Sequence, residues 1–173
     1  DCETTGLDLR RDRIISIGAV RIVGNRLLTS QRFEALVRPE RALKPDSVRV
    51  HRLRERDVAQ GEAAETAVRR LLHFIGSRPL VGYYLEFDLA MLNRVVRPML
   101  GVNLPQPTIE VSSMYYDVKN RKLPPHERDG TIDLRFASMM AELGLPQRAA
   151  HDALNDAVMA GLAFLKLRRL LAG

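Results

Sequence analysis

Ile14 to Val23, a run dense in Ile and Val and closed by Gly24-Asn25, constrains this chain more than any other stretch. Side chains branched at Cβ favour a pleated surface, so the run reads as a buried strand. Gly-Asn favours a tight reversal, which predicts that 27–37 returns as the hairpin partner. Beyond a turn-rich, basic stretch at 38–57 the period changes. Ala67, Leu71, Leu72 and Ile75 recur on one side of a helix over 62–75, and Gly76 stops it. A short apolar strand at 79–82 runs into a second helix over 87–100, with Leu89, Leu92, Val96 and Leu100 inward. A strand near 109–112, a short helix, a polar loop at 119–131 and helices over 133–143 and 152–171 follow. A hairpin and then alternating strands and helices predict a mixed sheet with helices on its faces, an α/β fold.

At 173 residues, folding buries roughly 70% of the accessible surface, enough for one domain with its own core. No repeat, low-complexity stretch or linker divides it, so residues 1–173 are expected to form a single domain. The single cysteine, Cys2, excludes an intrachain disulfide and leaves any thiolate metal site short of ligands. The longest apolar run, 158–165, stops at Lys166, short of the ~18 residues a membrane helix needs. With no signal peptide either, a soluble, cytoplasmic protein is expected. The sequence opens at Asp1 without an initiator methionine. A piece of a longer protein, with its first strand cut short, is the expectation.

The net charge is +6 and the pI about 10.0. Arginine supplies 23 of the 27 basic residues, and its fork matches phosphate oxygens in pairs, which suggests a nucleic-acid partner. GC-rich coding also favours arginine, so charge alone leaves both explanations standing.

Three short segments carry the chemistry. In Asp1-Cys2-Glu3-Thr4-Thr5-Gly6-Leu7, residues two apart on a strand share a face, so Asp1 and Glu3 project side by side. Neighbouring carboxylates repel unless a cation sits between them, although a solvated turn also fits this pattern. In Val81-Gly82-Tyr83-Tyr84-Leu85-Glu86-Phe87-Asp88, a strand ends and Asp88 falls in the first turn of the next helix. That end stabilises an ionised carboxylate, and simple helix capping by Asp88 or Glu86 is the alternative. In His151-Asp152-Ala153-Leu154-Asn155-Asp156-Ala157, two residues five apart on a helix stand about 140° apart. His151 and Asp156 converge only if His151 precedes the helix and Asp156 lies in its first turns, a boundary that Asp152 as N-cap would set.

Jointly, and in this order, these segments resemble the DEDDh (DnaQ-like) family of 3′–5′ exonucleases, which includes the proofreading subunit of bacterial replicative polymerase. The first family motif, Asp-x-Glu-Thr/Ser-(Thr)-Gly-Leu, matches at Asp1, Glu3, Thr5, Gly6 and Leu7. The second matches at Phe87 and Asp88, and the third, His-x-Ala-x-x-Asp, at His151, Ala153 and Asp156. Between them, Pro45 to Leu53 looks like the family segment that carries a histidine before a hydrophobic residue, here His51. The chain departs from the pattern at Tyr83-Tyr84, where the family usually has His-Asn, and at Arg52, where Gly is frequent. Its 119–131 loop is also longer and more polar than the family minimum.

The resemblance implies a ribonuclease H-like fold, a mixed five-stranded sheet flanked by helices. It implies metal-dependent release of nucleoside 5′-monophosphates from single-stranded DNA or RNA 3′ ends, with a DNA polymerase as a partner. Oxygen ligands without cysteine suit Mg²⁺ or Mn²⁺, and two ions are implied. Asp1, Glu3 and Asp156 would hold one, Asp1 with phosphate and water the second, and Asp88 would ligate directly or through water. His151 is the implied general base, since imidazole titrates near neutrality. Thr4, Thr5, Gly6 and Leu7 would line the terminal nucleotide, Phe87 the penultimate base or sugar, and His51 the pocket. Two rivals remain: a haloacid dehalogenase-type phosphatase, which also opens acidic-x-acidic-x-Thr, and a non-catalytic nucleic-acid or polymerase-binding module.

Overall fold

Two residues, Gly24 and Asn25, join the last rungs of a long antiparallel hairpin in which Val23 faces Arg26. The computed structural model describes residues 1–39, 53–124, 126, 128, 131–146 and 151–173. Its strands are β1 (Cys2–Thr4), β2 (Ile14–Val23), β3 (Arg26–Leu36), β4 (Leu80–Gly82) and β5 (Thr108–Glu110). Its helices are α1 (Glu55–Ala59), α2 (Ala64–Ile75), α3 (Leu85–Leu100), α4 (Val111–Lys122), α5 (Phe136–Glu142) and α6 (Ala153–Ala172). Between Val20 and Arg21 the hairpin partner jumps from Arg32 to Leu28, so Thr29, Ser30 and Gln31 bulge from β3. Among the described residues no helix is long and apolar enough to cross a membrane.

The mixed α/β architecture is as the pattern predicts, with five strands in two hydrogen-bonded parts. β1, β2 and β3 form an antiparallel ladder, and β4 and β5 a parallel one. Asp1, just ahead of β1, exchanges backbone bonds with Gly18 at 3.0 and 2.9 Å.

Helices cover the strands in two layers. Ile14, Ile17, Phe33 and Ala35 pack with Ala67, Val68 and Leu71 of α2 and Met91, Leu92 and Val96 of α3. A second cluster joins Val111 and Tyr115 of α4, Met139 and Met140 of α5 and Ala163, Phe164 and Leu167 of α6, with Ile22, Val81 and Ile109 packed against it. Each fully buried aliphatic side chain contributes about 1.5–3 kcal/mol.

Several boundaries differ from the periodicity reading, for local reasons. A short helix, α1, occupies part of the stretch read as turns, its start closed by the Asp57 carboxylate accepting from the Arg54 N–H. α3 begins at Leu85 rather than Phe87, because Glu110 accepts from the N–H groups of Tyr84 and Leu85. α4 begins at Val111 and runs to Lys122, which shortens the expected loop. α5 starts at Phe136 because Asp133 accepts from the Arg135 N–H and keeps that turn outside the helix.

Gly18 sets the distance between sheet and helix. Alternation along β2 puts Ile17 and Ala19 toward α2 and α3 and leaves residue 18 facing the start of α6. A Cβ there would lie 2.2 Å from the backbone of Ala153 and Leu154. Backbone does not swing aside as a side-chain tip does, so only glycine lets the helix start approach this closely. Gly18→Ala is expected to cost about 1–3 kcal/mol of stability, seen in a thermal melt as a Tm lower by roughly 3–9 °C. An unchanged melt would show that the helix start yields freely.

Candidate active site

The first wall of the site is β1 and the turn after it. Ladder pairing fixes the strand at Cys2↔Ile17 and Glu3↔Ser16, and two-residue alternation turns Asp1 and Glu3 to one side. Glu3 is buried, at 8% exposure. The Thr4 hydroxyl donates to the Gly6 carbonyl at 2.7 Å, closing the turn that carries Leu7 outward.

The second wall is the start of α3. Tyr84, at φ 51°, takes the left-handed conformation that turns the chain from β4 into the helix. Glu110, at the end of β5, accepts from Tyr84 N–H at 3.1 Å and Leu85 N–H at 3.0 Å, and also from Ser112 at the start of α4. One carboxylate therefore caps two helices. Asp88, in the first turn of α3 and 6% exposed, accepts from the Cys2 N–H at 2.9 Å. This bond ties α3 to β1.

The third wall is the start of α6. Asp152 is its N-cap, accepting from Asn155 N–H at 2.8 Å. His151 stands before the helix at φ 66°, and its N–H donates to an Asp156 carboxylate oxygen at 3.0 Å. Ligand atoms of Glu3, His151 and Asp156 all lie within 4.8 Å of one another. That group joins the two ends of the chain.

All five predicted catalytic side chains border one cavity of about 660 Å³: Asp1, Glu3, Asp88, His151 and Asp156. Thr4, Gly6, Leu7 and Phe87 border it too. Asp1 and Asp88 line the cavity without belonging to the tight Glu3–His151–Asp156 group. Thr5 is turned away from it: its buried hydroxyl donates to Asp12 and accepts from the Arg13 N–H, both at 3.0 Å. His51 lies outside the described residues.

Crowded acids raise one another's proton affinity. Burial, then the negative charges of Asp156, Asp88 and Asp152, push the Glu3 carboxyl up to about 7. Burial also raises Asp88 and Asp156, while donated N–H groups from Cys2 and His151 pull the other way. A hard divalent cation fits this environment, because Glu3, Asp156 and the His151 imidazole converge while Asp1 and Asp88 border the same cavity.

Glu110 belongs to none of the three motifs, and its only signal in the sequence is an acidic residue just ahead of a helix. Tyr83 and Tyr84, noted as departures, both line the cavity. The Tyr83 hydroxyl donates to the Leu134 carbonyl at 2.9 Å, and its ring packs on Phe136 at 4.7 Å between centroids. The ring thus braces the α5 side of the mouth.

The exonuclease family model named for RNase T matches residues 1–164. A DNA polymerase III subunit epsilon-like protein of Rhodobacter capsulatus is 33% identical over 96% of this chain, and the match spans 23% of that relative, less than a quarter of its length. Among solved structures, Exonuclease X in complex with 5′ overhanging duplex DNA superposes with a TM-score of 0.73 at 22% identity, covering 100% of this chain and 91% of that one. E. coli Exonuclease I in complex with a dT13 oligonucleotide gives 0.78 at 17% identity, covering 99% and 41%. These structures share the fold.

The shifted carboxyls link stability to pH. Glu3 binds its proton more tightly folded, with a pKa of about 7 against an ordinary 4.5. Its stabilising contribution is complete below 4.5 and is lost as pH rises through about 7. Asp88 and Asp156 act in the same direction. In metal-free buffer Tm is therefore expected to fall between about pH 5 and about pH 8, and Glu3→Gln should flatten that fall. A wild-type Tm that rises over the interval contradicts the electrostatics.

Proposed function

The chain belongs to the RNase T exonuclease family, and from that premise we propose that it is a divalent-metal-dependent 3′–5′ exonuclease releasing nucleoside 5′-monophosphates from single-stranded DNA. One observation carries this reading: Glu3, His151 and Asp156 meet within 4.8 Å, in a cavity that Asp1 and Asp88 also border. Residues 1–173 are read as one exonuclease domain.

Glu3 and Asp156, with Asp1 and Asp88 beside them, are the residues that would hold two Mg²⁺ or Mn²⁺ ions. Bound there, such ions supply a water of lowered pKa and neutralise charge that gathers on the phosphate during hydrolysis. His151 takes the attacking water's proton on an imidazole nitrogen, and a positioned base of this kind is worth about 10²–10⁴-fold. Asp156 fixes the backbone from which this side chain extends, by accepting from the backbone N–H of His151. Asp88 holds the β1 end against α3 through the Cys2 N–H, which keeps the acids from drifting apart. Gly6, Leu7 and Phe87 offer backbone and apolar surface to a terminal sugar and base, contacts that tolerate any sequence. The +6 charge favours a polyanion and makes binding salt-dependent. The name borne by the Rhodobacter relative supports DNA as substrate and a polymerase as partner.

The reading is tested by digesting single-stranded DNA, duplex DNA and short RNA side by side with Mg²⁺ or Mn²⁺. Mononucleotide release, fastest from single-stranded DNA and absent in chelator, is expected. His151→Ala and Asp156→Ala should each lower kcat at least about 10²-fold with unchanged far-ultraviolet circular dichroism. Release of inorganic phosphate would point to a phosphatase, exclusive digestion of RNA would overturn the DNA assignment, and wild-type turnover in either variant would overturn the roles.

A further inference from the structure

Between Gly6 and Arg13 the chain makes a loop that is cross-braced well beyond what a surface connection needs. Asp12 lies at its centre, 3% exposed, accepting from the Thr5 hydroxyl at 3.0 Å and the Asp8 N–H at 2.9 Å. A Cβ on Gly6 would fall 2.4 Å from the Asp12 carboxylate, so the turn is folded directly onto that side chain. Asp8 accepts from the Arg10 and Arg11 N–H groups and closes the tip. From the neighbouring helix, Arg94 donates to the carbonyls of Asp12 at 2.7 Å and Arg10 at 2.9 Å. The two guanidinium branches thus reach two points of the loop from one rigid element, a planar fork that lysine lacks.

Neither Asp12 nor Arg94 borders the cavity that holds the acids, whereas Gly6 and Leu7, at the loop's near end, do. Leu7 is 83% exposed, an apolar side chain in solvent between two bonded neighbours, Gly6 and Asp8. A contact surface held in its bound shape avoids the ordering cost of binding. Resting on the exonuclease reading, we propose that Asp12 and Arg94 are positioning residues that hold the 6–13 loop as a rigid rim, presenting Gly6 and Leu7 to the terminal nucleotide. Neither side chain touches reacting atoms. Each acts on affinity through the loop.

The test pairs kinetics with proteolysis, using Asp12→Asn and Arg94→Met in the full chain. On a single-stranded DNA oligonucleotide with Mg²⁺, KM is expected to rise about tenfold while kcat stays within about threefold. Limited trypsin treatment should cut both variants first after Arg10 or Arg11, while the wild type resists there. Loss of folded molecules alone would instead lower kcat at constant KM and expose sites throughout the chain, which overturns the proposal. So does an unchanged KM with unchanged resistance at Arg10 and Arg11. If the wild type degrades no DNA, the exonuclease reading fails by itself. The rim is then judged by trypsin and by fluorescence anisotropy of the oligonucleotide, where unaltered affinity in both variants overturns it.

Discussion

Gathering Glu3, Asp88 and Asp156 out of water around one cavity is the constraint around which this molecule is built. Acids this close do not stay together unless something else holds their carriers, and here backbone donors do so. Cys2 gives its N–H to Asp88, and His151 gives its N–H to Asp156. Each bond also joins separate parts of the chain: β1 to α3, and the loop before α6 to the helix itself. The same contacts that blunt the repulsion therefore fix the geometry. Burial leaves a residue of strain, visible in a Glu3 carboxyl pushed up to about 7, and a pair of cations would relieve it.

Much of this was legible in the amino-acid order. β2 was readable because Ile and Val crowd Ile14–Val23 and Gly24-Asn25 allows few alternatives to a hairpin. The start of α6 was readable because Asp152 is a strong N-cap, and that boundary alone puts His151 outside the helix and Asp156 within its first turn. Other features depend on partners far away in sequence. Thr5 looks identical to Thr4 on paper, yet Asp12 captures its hydroxyl and Thr4 closes the turn instead. The early start of α3 comes from Glu110, some two dozen residues downstream, which no local pattern connects to Tyr84.

Rigidity is concentrated where the cavity is lined. Gly18 brings α6 against β2 with no space for a methyl group, Tyr83 braces the α5 side, and Arg94 reaches across from α3 to the loop that carries Leu7. None of these three contacts uses Glu3, His151 or Asp156. The proposed hydrolysis would reward such an arrangement, because misplacement by about 1 Å can cost on the order of 10²-fold in rate.

Glu110 couples two helix starts thermodynamically. By bonding the first turns of α3 and of α4 at once, it makes fraying of one helix an event felt by the other. The element that carries Asp88 and the element that supports the opposite layer then open as one cooperative unit. Local breathing at both helix starts is thus opposed by one residue outside the acidic group, and amide exchange at the two starts is expected to be correlated.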